Sequence, residues 1–312
     1  MTTQVNSESE ARDVRRFLLG VHPEGKERYI VTREAWEWRL KGVPGVASWK
    51  IGEEYAVHRT HLPLLGVPLD FEKRLPWLKP VLQDGTKPRP WQEEIIPFIR
   101  SRYGSYLAWS MRTGKTGASV LSHHLDYDGA IVVLGPLQSR SVWIDWFRRR
   151  WPRARVGVVV GRKFNPAQLH DYDAIFMHYE ITPAWQSLDL SARVGNAIGT
   201  VVLDEAHLLS NRKSLRSQAA MIIASNAKRV IALSGTPVFN DIAGLHTVLS
   251  ILNPTAWGSY WDFAKRYASA RPGAHGWVVG KASHEDELKE RLTEVASIKS
   301  WADVIDKVPP IT

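Results

Sequence analysis

The chain contains no cysteine. That excludes disulfides, thiolate zinc sites and cysteine nucleophiles. No run of eighteen apolar residues occurs, so no membrane-spanning helix is expected. Met1 to Glu10 lack the basic start and apolar centre of a secretion signal and carry Glu8 and Glu10 instead. A cytoplasmic location is the expectation. Acidic residues are in the minority: 32 Asp and Glu stand against 41 Lys and Arg, for a net charge of +9. A basic balance favours a polyanionic partner, nucleic acid first among them. What is present is otherwise ordinary. At 312 residues, 44% hydrophobic and 23% charged, the chain has room for one large domain and a small one. Fourteen tryptophans are an excess. Most are expected in cores, and those left at a surface can stack on bases.

Residues 1 to 13 are polar and read as a frayed terminus. From 14 to 61 two apolar runs flank His22-Pro23-Glu24-Gly25-Lys26, a Trp36-bearing helical stretch follows over 33 to 41, and a second hairpin is expected over Val46 to His58. This is a small ββαββ module. Residues 62 to 88, with Pro63, Pro68, Pro76, Pro80 and Pro88, read as a linker. From residue 89 to 312 the pattern changes. Short Val/Ile/Leu runs, such as Ala130 to Leu134, Ala174 to Met177, Thr200 to Leu203 and Arg229 to Leu233, alternate with helical segments. Continuous apolar strands separated by helices imply an α/β fold, with a mostly parallel sheet covered on both faces. Ligands in such sheets sit at the carboxyl ends of the strands.

Two of those ends carry chemistry. The apolar run Ser105 to Trp109 leads into Ser110-Met111-Arg112-Thr113-Gly114-Lys115-Thr116, and a helix follows. Strand, Gly-Lys-Thr turn and helix make up the layout of a phosphate-binding loop. Backbone N–H groups and the helix N-terminus would cradle a polyphosphate. Lys115 would reach the outer phosphates and Thr116 would hold magnesium. The strict pattern fails at one position, because Trp109 stands where Gly is wanted. The second end is Asp204-Glu205-Ala206-His207, directly after Thr200 to Leu203. There Asp204 would hold the metal, Glu205 would orient or deprotonate an attacking water, and His207 would report the nucleotide state. An N-cap Asp with a first-turn Glu is the plain structural alternative.

The order of motifs resembles the first RecA-like lobe of the Swi/Snf-type translocases of helicase superfamily two, over residues 89 to 312. Arg89-Pro90-Trp91-Gln92 is similar to that family's adenine-reading motif, which implies nucleotide contacts at Arg89 and Gln92. Met111 to Thr116 is similar to its Met-Gly-Leu-Gly-Lys-Thr loop, with Thr113, Gly114, Lys115 and Thr116 on the phosphates; Arg112 departs from the family's Gly. Leu134-Gly135-Pro136-Leu137, with Trp143 and Trp146 behind it, resembles a strand-contacting motif, and so does His178-Tyr179-Glu180. Asp204 to His207 resembles motif II, where Ser210 replaces a usual Lys before Asn211. Ser234-Gly235-Thr236-Pro237 resembles motif III. The N-terminal module resembles the HARP-type domain of annealing helicases.

What these resemblances imply is a DNA-dependent ATPase and translocase using ATP and magnesium. Duplex or branched DNA would be met by Pro136, His178, Tyr179, Arg212, Lys213 and Thr236. The family's second RecA-like lobe supplies an arginine finger, and no Gln-x-x-Gly-Arg-x-x-Arg run follows here. The expectation is therefore a lobe that hydrolyses slowly by itself. Two other readings stay open: a different superfamily-two motor, such as a restriction-enzyme translocating subunit, or a nucleotide-gated DNA-binding module without catalysis.

Overall fold

A computed structural model of the chain describes residues 18–21, 28–31, 48–51, 54–58, 88–161, 171–184, 198–235, 241–273 and 276–304. The chain divides into two compact units, one of residues 1–80 with 96–102, the other of residues 81–95 and 103–312. In the first, β1 (Leu18–Val21), β2 (Arg28–Val31), β3 (Ser48–Ile51) and β4 (Glu54–His58) form an antiparallel sheet in the order β1-β2-β4-β3. Its two hairpins, β1 with β2 and β3 with β4, follow the two pairs of apolar runs. The expected helix over 33 to 41, the frayed terminus and the linker up to residue 87 lie outside the described residues.

The second unit is built on a seven-stranded sheet whose pairings are all parallel. Its strands are β5 (Gly104–Trp109), β6 (Ala130–Gly135), β7 (Val156–Val159), β8 (Ala174–His178), β9 (Ile198–Leu203), β10 (Arg229–Ser234) and β13 (Ala296–Lys299), in the order β13-β5-β10-β9-β6-β8-β7. Every residue of β5, β6 and β9 is buried. Such strands carry no polar side to show to water, and the lack of alternation in their sequences reflects that. Helix α1 (Pro90–Arg100) precedes the sheet, α2 (Lys115–Leu121) and the one-turn α3 (Leu125–Asp128) follow β5, and α4 (Arg140–Arg150) follows β6. Later come α5 (Leu215–Ser225), α6 (Ile242–Leu252), α7 (Tyr260–Tyr267) and α8 (Glu285–Leu292). One apolar layer joins Tyr106, Val132, Leu203 and Ala232 of the sheet to α5 and α6. The alternate residues Leu107, Val133, Val202 and Leu233 are equally buried, on the side where α2 packs against α4 and β10.

Side-chain caps fix where several helices begin. Asp241 accepts from the Gly244 N–H at 2.9 Å, and Ser259 accepts from the Asp262 N–H at 3.2 Å. Each such cap is worth about 1 kcal/mol. Not anticipated among the described residues were the one-turn α3, α7, α8, the small hairpin of β11 (Arg271–Gly273) and β12 (Gly276–Val278), and the edge strand β13. β13 explains the failed motif position. It pairs with β5, and the Trp109 indole N–H donates to Ser297 Oγ at 3.0 Å. Trp109 is thus a fully buried strand residue, and the loop proper starts at Ser110.

Candidate nucleotide site

The turn after β5 is held in shape from within and from α1. Gly114 lies at φ +91°, in the left-handed region that glycine enters without steric cost. A Cβ at Gly114 would stand 2.5 Å from Gln92 Nε2, so the position also lacks space. Thr113 Oγ1 donates to the Ser110 carbonyl at 2.7 Å, and the Trp91 indole N–H donates to the Thr113 carbonyl at 2.8 Å. Gln92 Nε2 donates to the Gly114 carbonyl at 2.9 Å, while its Oε1 accepts from the Arg89 N–H at 2.8 Å. Gln92 is almost wholly buried. Its amide therefore braces the loop, and its side chain also lines the cleft described below. Arg89 also serves the loop, donating through Nη1 to the Arg112 carbonyl at 3.2 Å. Arg112 itself adopts φ 62°, a left-handed conformation that suits the glycine usual at this place and strains a side-chain-bearing residue.

Lys115 opens α2 and folds back over the turn. Its Nζ donates to the carbonyls of Trp109 at 2.8 Å and Ser110 at 3.1 Å. Burial pushes its ammonium below the usual lysine range, and the negative charges of Glu205 and Asp204 partly oppose that shift. Asp204 follows β9 and is fixed at four atoms. Its N–H donates to the Leu134 carbonyl at 2.8 Å, and its carbonyl accepts from Tyr179 Oη at 2.9 Å. Its Oδ2 accepts from the Trp143 indole N–H at 2.8 Å, and its Oδ1 accepts from the Glu205 N–H at 3.1 Å. Glu205 turns the chain in a left-handed conformation, φ 48° and ψ 52°. Its Oε2 lies 3.3 Å from His207 Nδ1 and, at the long end of hydrogen bonding, 3.5 Å from the Gly235 N–H. Ser234 Oγ is 3.3 Å from the same ring nitrogen of His207.

The structure brings Lys115, Thr116, Asp204 and Glu205 together around one cleft of about 480 Å³, with Arg89, Gln92, Arg112 and Gly114 on its walls. Among the described residues no cluster of three or more His, Cys, Asp or Glu forms a metal cage. The oxygen donors of Thr116 and Asp204 instead suit magnesium, which keeps most of its shell as water and phosphate oxygen.

The expected strand contacts divide. Pro136 follows β6 and His178 ends β8, both half-buried, whereas Arg212 and Lys213 are exposed. Thr236 lies outside the described residues. Tyr179 corrects the expectation. It is 1% exposed, its hydroxyl sits on the Asp204 carbonyl, and burial raises its phenol well above the ordinary value. A ring so enclosed positions the acid and does not meet a DNA strand. Of the two tryptophans of α4, Trp143 is fully buried, whereas Trp146 is half-buried and lines the cleft. Trp143 holds Asp204, and Trp146 Cη2 lies 2.6 Å from where a Cβ on Gly117 would stand. Their i, i+3 spacing placed them on one helix face, but nothing in the spacing told which face met the site. Arg149, over the Trp146 ring at 4.9 Å, lines the same cleft. Of its basic neighbours, Arg150 is buried and Arg155 pairs with Asp173 at 3.2 Å.

A parallel sheet with a Gly-Lys-Thr turn after one central strand and Asp-Glu after another defines a RecA-like lobe carrying a phosphate loop. The sequence matches the SNF2-related domain over residues 17–309, and the chain belongs to that family. It is 30% identical over 236 residues to the Xenopus tropicalis SWI/SNF-related matrix-associated actin-dependent regulator of chromatin subfamily A-like protein 1, covering 72% of this chain and 24% of that protein. It is 24% identical over 229 residues to the human DNA annealing helicase and endonuclease ZRANB3, covering 71% of this chain and 21% of that protein. The chain thus spans about a quarter of the length of these relatives. The fold matches the Sulfolobus solfataricus SWI2/SNF2 ATPase core in complex with dsDNA, with a TM-score of 0.58, 22% identity, and coverage of 72% of this chain and 47% of that one.

Proposed function

We propose that this chain is the ATP-binding motor lobe of a DNA-dependent ATPase and translocase that remodels or anneals DNA. The observation that carries the reading is the convergence of Lys115, Thr116, Asp204 and Glu205, from two strand ends far apart in the chain, on one cleft. Lys115 would give up its loop carbonyls for the β- and γ-phosphates. Thr116 and Asp204 would hold magnesium, which when bound screens the phosphate charge. Glu205 would orient the attacking water and take its proton. His207, between Glu205 and Ser234, would link the water-activating carboxylate to the segment after β10. Arg89 and Arg149 on the rim would meet the nucleotide's outer face. The relatives' printed names support DNA as the partner, through annealing in one case and a bound duplex in another. Full turnover would require a second RecA-like lobe to supply an arginine to the transferred phosphoryl group.

Titration of a fluorescent ATP analogue into the chain, with and without magnesium, tests the site. Lys115→Ala is expected to weaken binding at least about tenfold, whereas Glu205→Gln keeps it. Unchanged binding in Lys115→Ala refutes the assignment. Hydrolysis by the chain alone at about one turnover per second or more refutes the requirement for a second lobe.

A further inference from the structure

A ladder of aromatic rings, half-buried at Tyr260 and Trp261 and exposed at Trp277, runs outward on the α/β unit from the segment that follows Asp204-Glu205-Ala206-His207. The Arg212 guanidinium lies 4.6 Å over the Tyr260 ring. Tyr260 meets Trp261 edge-on at 5.0 Å, and Trp261 lies 5.1 Å from Trp277 at an interplanar angle of 32°. Lys265 Nζ stands 5.0 Å over Trp277 at the far end. The inner end is anchored, because His246, itself buried, packs edge-on against Tyr260 at 5.6 Å. The outer end is open. Trp277 is 43% exposed on β12, and Val278 and Val279 beside it are exposed too.

Trp277 packs on Trp261 and Lys265 yet leaves 43% of its surface open, and with Val278 and Val279 it forms an apolar patch available to a partner. Two acids on α7 and α8 are engaged elsewhere. Glu287 is bound by Arg266 and Tyr267, and Asp262 accepts from Ser259. Among the described residues no carboxylate forms an ion pair with Arg212 or Lys265. Aromatic faces in series with a cation at each end make up the chemistry that receives unpaired bases and their phosphates. A duplex keeps its bases stacked on one another and offers no such face.

We infer that the Tyr260–Trp261–Trp277 ladder is a binding site for single-stranded nucleic acid, with a base stacking on Trp277 and phosphates meeting Lys265 and Arg212. It extends the proposed DNA partner by naming a strand-separated form and a surface apart from the nucleotide cleft. The test is fluorescence anisotropy of the 312-residue chain with a labelled oligo-dT and with a blunt duplex, at several salt concentrations. Trp277→Ala is expected to weaken oligo-dT binding about five- to a hundredfold and to change duplex binding less than about twofold. Trp277→Phe should recover most of the loss, and Lys265→Gln should flatten the salt dependence by about one phosphate contact. Circular dichroism confirms that each variant folds, and Lys265→Gln serves if Trp277→Ala does not. Equal binding of oligo-dT by parent, Trp277→Ala and Lys265→Gln overturns the inference, as does an equal loss on duplex. A parent that binds duplex but not oligo-dT refutes the ladder alone; one that binds neither refutes the DNA reading as well.

Discussion

Trp143 holds the acid at the end of β9, and this can be measured without any ligand. Its indole N–H is the donor to Asp204 Oδ2 at 2.8 Å, and both residues are buried, Trp143 completely. Trp143→Phe keeps an aromatic ring in place but removes that donor. Two losses then combine: about 1.5–3 kcal/mol for a hydrogen bond to a charged group, and about 1–2 kcal/mol for the smaller ring's cavity. A double-mutant cycle separates them. Asp204→Ala removes the acceptor, so in its background Trp143→Phe suffers only the cavity loss. The coupling energy is therefore expected to be about 1.5–3 kcal/mol. Urea denaturation of parent, both single variants and the double variant, followed by far-ultraviolet circular dichroism, gives the four values, and equal slopes across them license the subtraction. A coupling below about 0.5 kcal/mol refutes the claim that this hydrogen bond fixes the carboxylate.

Two further outcomes follow from backbone and titration. Arg112, at φ 62°, carries a left-handed strain of about 1–2 kcal/mol, partly offset in any glycine variant by the flexibility glycine adds to the unfolded chain. Arg112→Gly should raise the thermal midpoint by about 2–4 °C relative to Arg112→Ala; calorimetry showing Ala the more stable of the two counts against strain there. His246 is held neutral by burial, opposed by its hydrogen bond to the Gly258 carbonyl and reinforced by the charge of Arg212. Its folded-state value is lowered, so the unfolded chain binds the proton first. The contribution of His246 to stability is thus intact above pH 6.5 and declines as pH falls through the folded value. His246→Gln should lessen the loss of stability between about pH 7 and pH 5 by up to about 1.4 kcal/mol per pH unit; an unchanged slope excludes the residue.

Much of the lobe was legible because its central strands are apolar on both faces. Ala130 to Leu134 and Thr200 to Leu203 stand out as unbroken Val/Ile/Leu runs, and strand ends carrying Lys115 or Asp204 are where such sheets place ligands. The edge was not legible. Ala296-Ser297-Ile298-Lys299 is too short and too polar to register as a strand, and only its pairing with β5 makes it one. Orientation was not legible either. Tyr179 and the α4 tryptophans have the composition of nucleic-acid contacts, yet Tyr179, in a short 3-10 turn after β8, and Trp143 are buried on Asp204, and Trp146 lies against Gly117 at the cleft. Gln92 shows the same limit, since its residue type announces polar recognition without saying that loop carbonyls are its partners.

Lys115 is satisfied by its own chain. Two of its three N–H bonds donate to the carbonyls of Trp109 and Ser110, and burial disfavours its charged form. Any anion that draws on this ammonium must compete with two backbone carbonyls, so the strength of its capture is set in part by the hydrogen bonds the lysine surrenders.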